Sequence, residues 1–357
     1  MRNNIKLKFA LIFFLLLSSC SLFALSTTWF YNTLDKEKQG FYMQIEKAIL
    51  NTEEKITNVK YDSDECLRLF SGYLDDHPGI FWVKPAIGYS TYFEDEEIKH
   101  SISFQYTHTD NLAADQRQFI KLVNSFSNHL QNEPNDWFKL YRIYDYLAST
   151  IQYSVDYMDQ SMWSVFFNGI GVCAGFARSF QYLALLEGIP AVVVHGYGRN
   201  ADGSRSDVGH LWVMAELDGK WYHFDPTWGV KDKNGVVDYT NFCRSQQMIE
   251  RTHIINSKDY PIPPSYDDSL SYFNMLKLKV DSYSPDRYIK LVTNTLSKGK
   301  NSCTVEFASQ AILDKTVDVF FKQKKIGSVL YDLGYRFSSY SYSVNDQALT
   351  LKVTFFK

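Results

Sequence analysis

The stretch from Gly169 to Trp228 constrains the fold more than any other part of this chain. It reads GIGVCAGFARSFQYLALLEGIPAVVVHGYG, then a polar segment, then GHLWVMAELDGKWYHFDPTW. After Cys173, an apolar stripe of Ala174, Phe176, Ala177, Phe180, Leu183, Ala184 and Leu186 keeps helical spacing and stops at Gly188. Residues 189–194 are short, β-branched and of the buried type, so a strand is expected. Residues 199–209 (RNADGSRSDVG) are polar and rich in turn formers, as in a surface loop. Residues 210–217 and 220–224 then flank Asp218-Gly219, a strong signal for a two-residue type I′ hairpin.

The hairpin register carries chemistry. With a two-residue turn, Leu217 pairs with Lys220 and Trp212 falls opposite Asp225. His210 shares a face with Trp212 and becomes the diagonal neighbour of Asp225, roughly 7–8 Å away at Cα and within reach of a His–Asp hydrogen bond. Cys173 opens a largely buried helix, where the dipole and unpaired N–H groups favour a thiolate. A thiol nucleophile, a base and a group that orients the base are thereby assembled in the order Cys173, His210, Asp225. Each alone has a plainer reading: a small core cysteine, a satisfied strand histidine, a turn-starting aspartate before Pro226. Their joint spacing favours the site.

Four pieces of this stretch resemble the core of the transglutaminase-like superfamily, relatives of papain-type cysteine proteases. They are Gly171-Val172-Cys173-Ala174-Gly175-Phe176-Ala177, Gly188-Ile189-Pro190, His210-Leu211-Trp212, and Trp221-Tyr222-His223-Phe224-Asp225-Pro226-Thr227-Trp228. The segment Asp75-Asp76-His77-Pro78-Gly79-Ile80-Phe81-Trp82 resembles one found upstream of such cores in bacterial members. The resemblance implies an α+β fold in which a Cys-bearing helix packs on an antiparallel sheet bearing the histidine and aspartate. It also implies Cys173 as nucleophile, His210 as base and Asp225 as third member. Family members often add an oxyanion donor just upstream of the cysteine, and here Trp163 (indole N–H) and Asn168 are the two candidates, beside the Cys173 backbone N–H.

Two other site readings are weaker. Gly171-Val172-Cys173-Ala174-Gly175 fits a nucleophile elbow with 164–170 as its strand, but α/β-hydrolases place the acid before the histidine. A zinc site from His195, His210, His223, Cys173 and Cys243 lacks any C-x-x-C or H-x-x-x-H pair, so no metal and no cofactor are expected. His195 and His223 are expected to be structural or pocket-lining.

Arg2, Lys6 and Lys8 precede the apolar run 9–17, which is too short to span a bilayer and reads as a secretory leader within residues 1–26. Leu17-Ser18-Ser19-Cys20 resembles a bacterial lipobox, which implies a diacylglycerol on Cys20; cleavage after Ser26 is the alternative. The expected location is the bacterial envelope, with membrane contact only through that lipid. Formal charge is −3, and loss of the three leader cations takes it to about −6. There is no basic stripe, so nucleic acid is not an expected partner. Cys66, Cys243 and Cys303 lie far apart without a framework spacing and are expected to be reduced and buried.

A chain of 357 residues exceeds what one core usually holds. The reading is an N-terminal α/β flanking domain (27–110), the core (111–262) and, past the Pro261–Pro264 linker, a C-terminal α/β domain (265–357). Helices are expected near 36–55, 64–74, 115–129, 137–150 and 285–296, the last capped by Ser284 and opened by Pro285. Two Gly-Tyr-led aromatic hairpins, near 86–106 and 335–356, suggest a distant internal repeat around the core. The expected chemistry is attack by Cys173 on a peptide or amide carbonyl to give a thioester. Hydrolysis of polypeptide or peptidoglycan-peptide substrates is the first expectation. Glutamine transamidation or deamidation is the second, and a catalytically silent binding lipoprotein the third.

Overall fold

The computed structural model describes residues 25–155 and 160–356; residues 1–24, with the expected lipid site Cys20, lie outside it. Among the described residues, no helix is long and apolar enough to cross a membrane.

The chain opens with α1 (Trp29–Thr33), α2 (Lys36–Leu50), the short strand β1 (Lys55–Thr57) and α3 (Ser63–Asp76). Asp35 and Asp62 cap α2 and α3 by accepting the N–H of Lys38 and Glu65. A long hairpin follows, β2 (Val83–Glu94) and β3 (Glu97–Tyr106), turning on Asp95 and Glu96, both at positive φ. The N-terminal core is built from the apolar faces of α2 and α3 against Ile102 and Phe104.

Helices α4 (Leu112–Leu130) and α5 (Asp136–Thr150) bury Phe119, Val123, Leu140, Ile143, Tyr144 and Leu147 in a second, central core. Strand β4 (Gln152–Tyr153) pairs in parallel with β5 (Ile170–Gly171), directly before α6 (Cys173–Leu186). Then come β6 (Ala191–Arg199), β7 (Arg205–Leu217), β8 (Lys220–Phe224), β9 (Phe242–Arg244), α7 (Gln246–Ile249) and β10 (His253–Ile255). They form an antiparallel sheet in the order β10-β6-β7-β8-β9, on which α6 packs. The α+β class holds, with the Cys-bearing helix on an antiparallel sheet.

The last third holds α8 (Tyr272–Met275), β11 (Lys279–Val280), α9 (Pro285–Leu296), β12 (Ser302–Phe307), α10 (Gln310–Val317), α11 (Lys325–Asp332), β13 (Ser339–Asn345) and β14 (Thr350–Phe356). Ser284 caps α9 and Pro285 takes its first turn, as the sequence indicates. Phe81 and Trp82 before β2, and Tyr272 and Phe273 in α8, pack into the central core.

The two flanking units share one topology. Each runs helix, strand, helix, hairpin, and in each the first strand pairs antiparallel with the second hairpin strand, giving β1-β3-β2 and β12-β14-β13. The C-terminal unit differs by its split second helix and by β11 added parallel to β12. The sequence signal lay in the hairpins alone; the shared strand order lies in the pairing.

Two expectations are corrected. Residues 164–170 are not the strand of an elbow: residues Ser164–Asn168 form a π-helical turn, so the hydrolase-like reading fails. Residues 199–209 are not all loop. Strand β6 continues to Arg199 and β7 starts at Arg205, leaving a turn at 200–204 closed by Asn200 N–H to Ser204 O at 2.8 Å. The polar composition misled because ladder hydrogen bonds form on a solvent-facing ribbon without apolar burial.

A buried ion pair joins the central and C-terminal cores. Arg244 donates to Glu306 Oε1, with both side chains almost fully buried. Glu306→Leu leaves Arg244 only Asp268 at 3.5 Å, and should cost about 3 kcal/mol. The expected readout is a lowered urea midpoint, largely recovered in the double variant Arg244→Met/Glu306→Leu.

Candidate active site

The hairpin forms as its sequence requires. Asp218 and Gly219 take φ of 51° and 74°, the paired positive values of a type I′ turn. Leu217 pairs with Lys220 and the ladder continues to Val213 with Phe224, so Trp212 and Asp225 stand at the next position. There the chain leaves the ladder, and Asp225 N–H donates to Asn241 O at 2.9 Å. His210 sits on β7 opposite Gly196. A Cβ on Gly196 would come within 2.6 Å of the Trp212 indole and 2.2 Å of Ile254 O, so only glycine lets the strands and that ring coexist.

The expected trio comes together. His210 donates Nε2–H to Asp225 Oδ2 at 2.8 Å, both side chains buried. Cys173 is half-buried at the first position of α6, and Val172 offers no side-chain cap. The helix-opening N–H groups thus have no intrahelical acceptor. The His210 ring and the Leu211 backbone N–H lie beside Cys173 Sγ and are the groups that favour its charged form. Since Nε2 of His210 is committed to Asp225, Nδ1 faces the thiol.

The electrostatics follow from these contacts. Burial alone would push the Cys173 thiol up, but the hydrogen bond and charge of His210, helped by Leu211 N–H, bring it below its ordinary value. Burial would push His210 down, yet the charge and hydrogen bond of Asp225, then Cys173, raise it to about 10. Asp225 is desolvated too, but the two histidines facing it hold it well below the usual carboxylate range. In the interval between the two titrations the pair is thiolate and imidazolium.

Asp225 uses both oxygens. Oδ1 accepts the backbone N–H of Thr227 at 2.9 Å and of Trp228 at 3.3 Å. Oδ2 accepts His210 and also His253 Nε2 at 3.0 Å. His253, on β10, is the residue sequence reasoning missed. It stands in no motif, and its neighbours Thr252 and Ile254 read as an ordinary strand. The indole of Trp212 packs on both histidines, and the half-exposed Trp228 lies 4.3 Å from the His253 ring and 5.5 Å from His210. Tyr153 was also unmarked; its strand pairs beside Gly171, it is 42% exposed, and burial followed by the Cys173 and Asp225 charges raises its hydroxyl.

Donor atoms of His210, Asp225 and His253 lie within 4.8 Å of one another, a spacing that could hold a metal ion. The two imidazole N–H groups already meet the same carboxylate oxygen, so the cluster is complete as a hydrogen-bonded chain. The five residues weighed earlier for zinc do not converge. His223 accepts from Trp212 Nε1 at 3.1 Å, His195 bonds Asp75, and Cys243 is buried on β9. His195 is structural: Asp75 also binds Arg178 at 3.2 Å, and Tyr260 stacks on the ring at 3.6 Å.

The two oxyanion candidates have local partners. Trp163 stacks on Phe167 at 4.0 Å and packs against His108 and Phe81. Asn168 donates Nδ2–H to Ser164 Oγ at 3.5 Å. Cys66, Cys173, Cys243 and Cys303 are all free thiols.

The buried neutral histidines set an acid limit. Burial lowers His223 to about 3 and His77 to about 4, and lowers His253 as well. Each is free to protonate near 6.5 once unfolded, so their stabilisation is full above that pH and lost as pH falls toward the folded values. Asp76, raised to about 7 by burial, acts oppositely over the same interval. His210 is protonated in both states there and adds nothing. Stability should therefore fall from pH 6.5 to 5, by up to about 1.4 kcal/mol per unit for each unbalanced histidine, read in urea midpoints.

Residues 124–226 match the model of the transglutaminase-like superfamily. Over 73 residues the chain is 30% identical to kyphoscoliosis peptidase of Mus musculus, covering 19% of this chain and 10% of that protein. Similar solved structures include a candidate cysteine protease from Cytophaga hutchinsonii, with 19% identity, a TM-score of 0.28 and coverage of 43% of this chain and 66% of that one. Another is the periplasmic domain of TgpA from Pseudomonas aeruginosa, with 18% identity, a TM-score of 0.27 and coverage of 39% and 58%. The matched segment contains Cys173, His210 and Asp225. Over residues 124–226, this chain is similar to the transglutaminase-like superfamily.

Proposed function

We propose that this chain is an exported cysteine hydrolase that cleaves peptide or amide bonds through a thioester on Cys173. The observation that carries the reading is the chain of contacts from Cys173 Sγ through the His210 ring to Asp225 Oδ2. The Cys173 thiolate attacks the carbonyl carbon, and the oxyanion is met by the Cys173 N–H at the start of α6, with Trp163 or Asn168 as the added donor. His210 gives its proton to the leaving amine as the C–N bond breaks. It then takes a proton from water, which attacks the thioester and releases the acid and the thiolate. The substrate is a polypeptide or peptidoglycan peptide of the envelope, reached by a protein anchored through a lipid on Cys20.

Incubation with p-nitrophenyl acetate tests the chemistry. Wild-type protein should release nitrophenolate and carry an acetyl group on Cys173 by mass spectrometry, and Cys173→Ala should do neither. Capture of the acetyl group by an added amine in preference to water would favour the transamidase reading over hydrolysis. Absence of any adduct would leave a binding module. For the anchor, Cys20→Ser should move the chain from the membrane fraction to the soluble fraction; a variant that stays with the membrane removes the lipid assignment.

A further inference from the structure

His253 is a third imidazole in the site, and the proposed reaction does not use it. It is fully buried on β10, donates Nε2–H to Asp225 Oδ2 at 3.0 Å, and its Nδ1 lies 2.8 Å from Thr252 Oγ1. Burial holds it below its ordinary value against the opposing pull of the Asp225 carboxylate, and the facing charge of His210 adds to the lowering. The titratable groups around it are His210 on β7, His223 on β8 and Asp225 beyond β8, with Arg199 reaching its carbonyl at 3.5 Å. Trp212 and Trp228 cover its ring.

Asp225 does not need His253 to stay aimed. Its other oxygen is fixed by the backbone N–H groups of Thr227 and Trp228. What His253 changes is how many protons share Oδ2. An oxygen that accepts two N–H donors holds each less tightly than an oxygen that accepts one. That matters in the second half of the cycle, when His210 must be neutral at Nδ1 to take a proton from water.

We propose that His253 is a positioning residue for the deacylation step: by sharing Asp225 Oδ2 with His210, it keeps the His210 proton labile enough for hydrolysis. The inference rests on the hydrolase reading and predicts a split between two half-reactions. Alkylation of Cys173 needs only the thiolate–imidazolium pair. Deacylation needs neutral His210, so its rate rises with pH and depends on how firmly Asp225 holds the proton.

The test uses the full chain, with p-nitrophenyl acetate as acyl donor and iodoacetamide as the thiol probe, between pH 7 and 9. In the first step the thiolate displaces nitrophenolate. In the second, water attacks the thioester, its proton passes to His210, and acetate and thiolate leave. His253→Leu should lengthen the lifetime of acetyl-Cys173 about tenfold at each pH, the effect of about one pKa unit on His210, while alkylation is unchanged. His253→Gln, which retains an N–H donor, should restore the wild-type lifetime. Equal lifetimes in wild type and His253→Leu would overturn the proposal. So would a parallel loss of alkylation and deacylation, which marks a purely structural role, or a glutamine variant as slow as leucine. Labelling of buried Cys66, Cys243 and Cys303 reports unfolding; if the leucine variant unfolds, His253→Asn, whose shorter amide falls short of Asp225, replaces it. A wild-type Cys173 that neither acylates nor alkylates quickly sinks the hydrolase reading itself, an outcome separate from any difference among the His253 variants.

Discussion

His210→Ala should slow alkylation of Cys173 at pH 6 on the order of a hundredfold, because an unassisted thiol is only about 0.3% thiolate at that pH. The contribution of His210 is large for a definite reason. Burial by itself raises the thiol, so Cys173 without its partner would be worse than an exposed cysteine. Cys66, Cys243 and Cys303 show that state, with burial pushing Cys66 to about 12 and Cys303 to about 11. Rates mapped to each cysteine by mass spectrometry provide internal standards. Wild-type Cys173 should react fast from mildly acidic pH upward, and the His210→Ala variant should join the slow group. A Cys173 that already reacts as slowly as Cys303 in the wild type would remove the nucleophile assignment.

Asp225→Ala should produce the largest combined loss of stability and thiol reactivity. Four N–H donors lose their acceptor at once: His210, His253, Thr227 and Trp228. Unsatisfied buried donors cost about 1–3 kcal/mol each, and partial relaxation leaves an expected total of about 3–5 kcal/mol. Removing the carboxylate also removes the main influence that keeps His210 charged. Burial then dominates and drives the ring neutral at pH 7, and the thiolate loses its counter-ion. Asp225→Asn separates the two effects. It retains the shape, so stability should be better preserved than in the alanine variant, yet alkylation should be as slow because the charge is gone. An asparagine variant that stays fast would show that orientation, not charge, is what Asp225 provides.

The pH dependence adds an independent constraint. The thiolate–imidazolium pair persists until His210 loses its proton near 10, whereas the buried neutral histidines weaken the fold below 6.5. The ion pair is thus bounded above by the His210 titration, and the fold below by the histidines buried in the cores around it.

The hairpin, the helix that opens with Cys173 and the helix capped by Ser284 were legible in the sequence because each rests on local rules. Asp218-Gly219 admits few turns, and its two residues set the register that carries His210 to Asp225. The stripe after Cys173 specifies a helix and places the thiol at its start. Ser284 and Pro285 mark a helix start by their own hydrogen bonding and φ.

Contacts between elements distant in sequence were not legible. His253 meets Asp225 only because β10 pairs antiparallel with β6, with His253 opposite Gly198 at the far edge of the sheet. Nothing in its neighbours distinguishes it from an ordinary strand histidine. The matching strand order of the two flanking units likewise lives in long-range pairing, which composition does not encode. The short strand of residues 205–209 was hidden because a solvent-facing ribbon needs no apolar pattern. The sequence by itself therefore determined the helix that carries Cys173, the hairpin register and the pairing of His210 with Asp225, since turn chemistry and periodicity act within a few residues. The tertiary structure alone decided that Asp225 serves two histidines and that the thiol meets His210, because both depend on which distant surfaces bury each other.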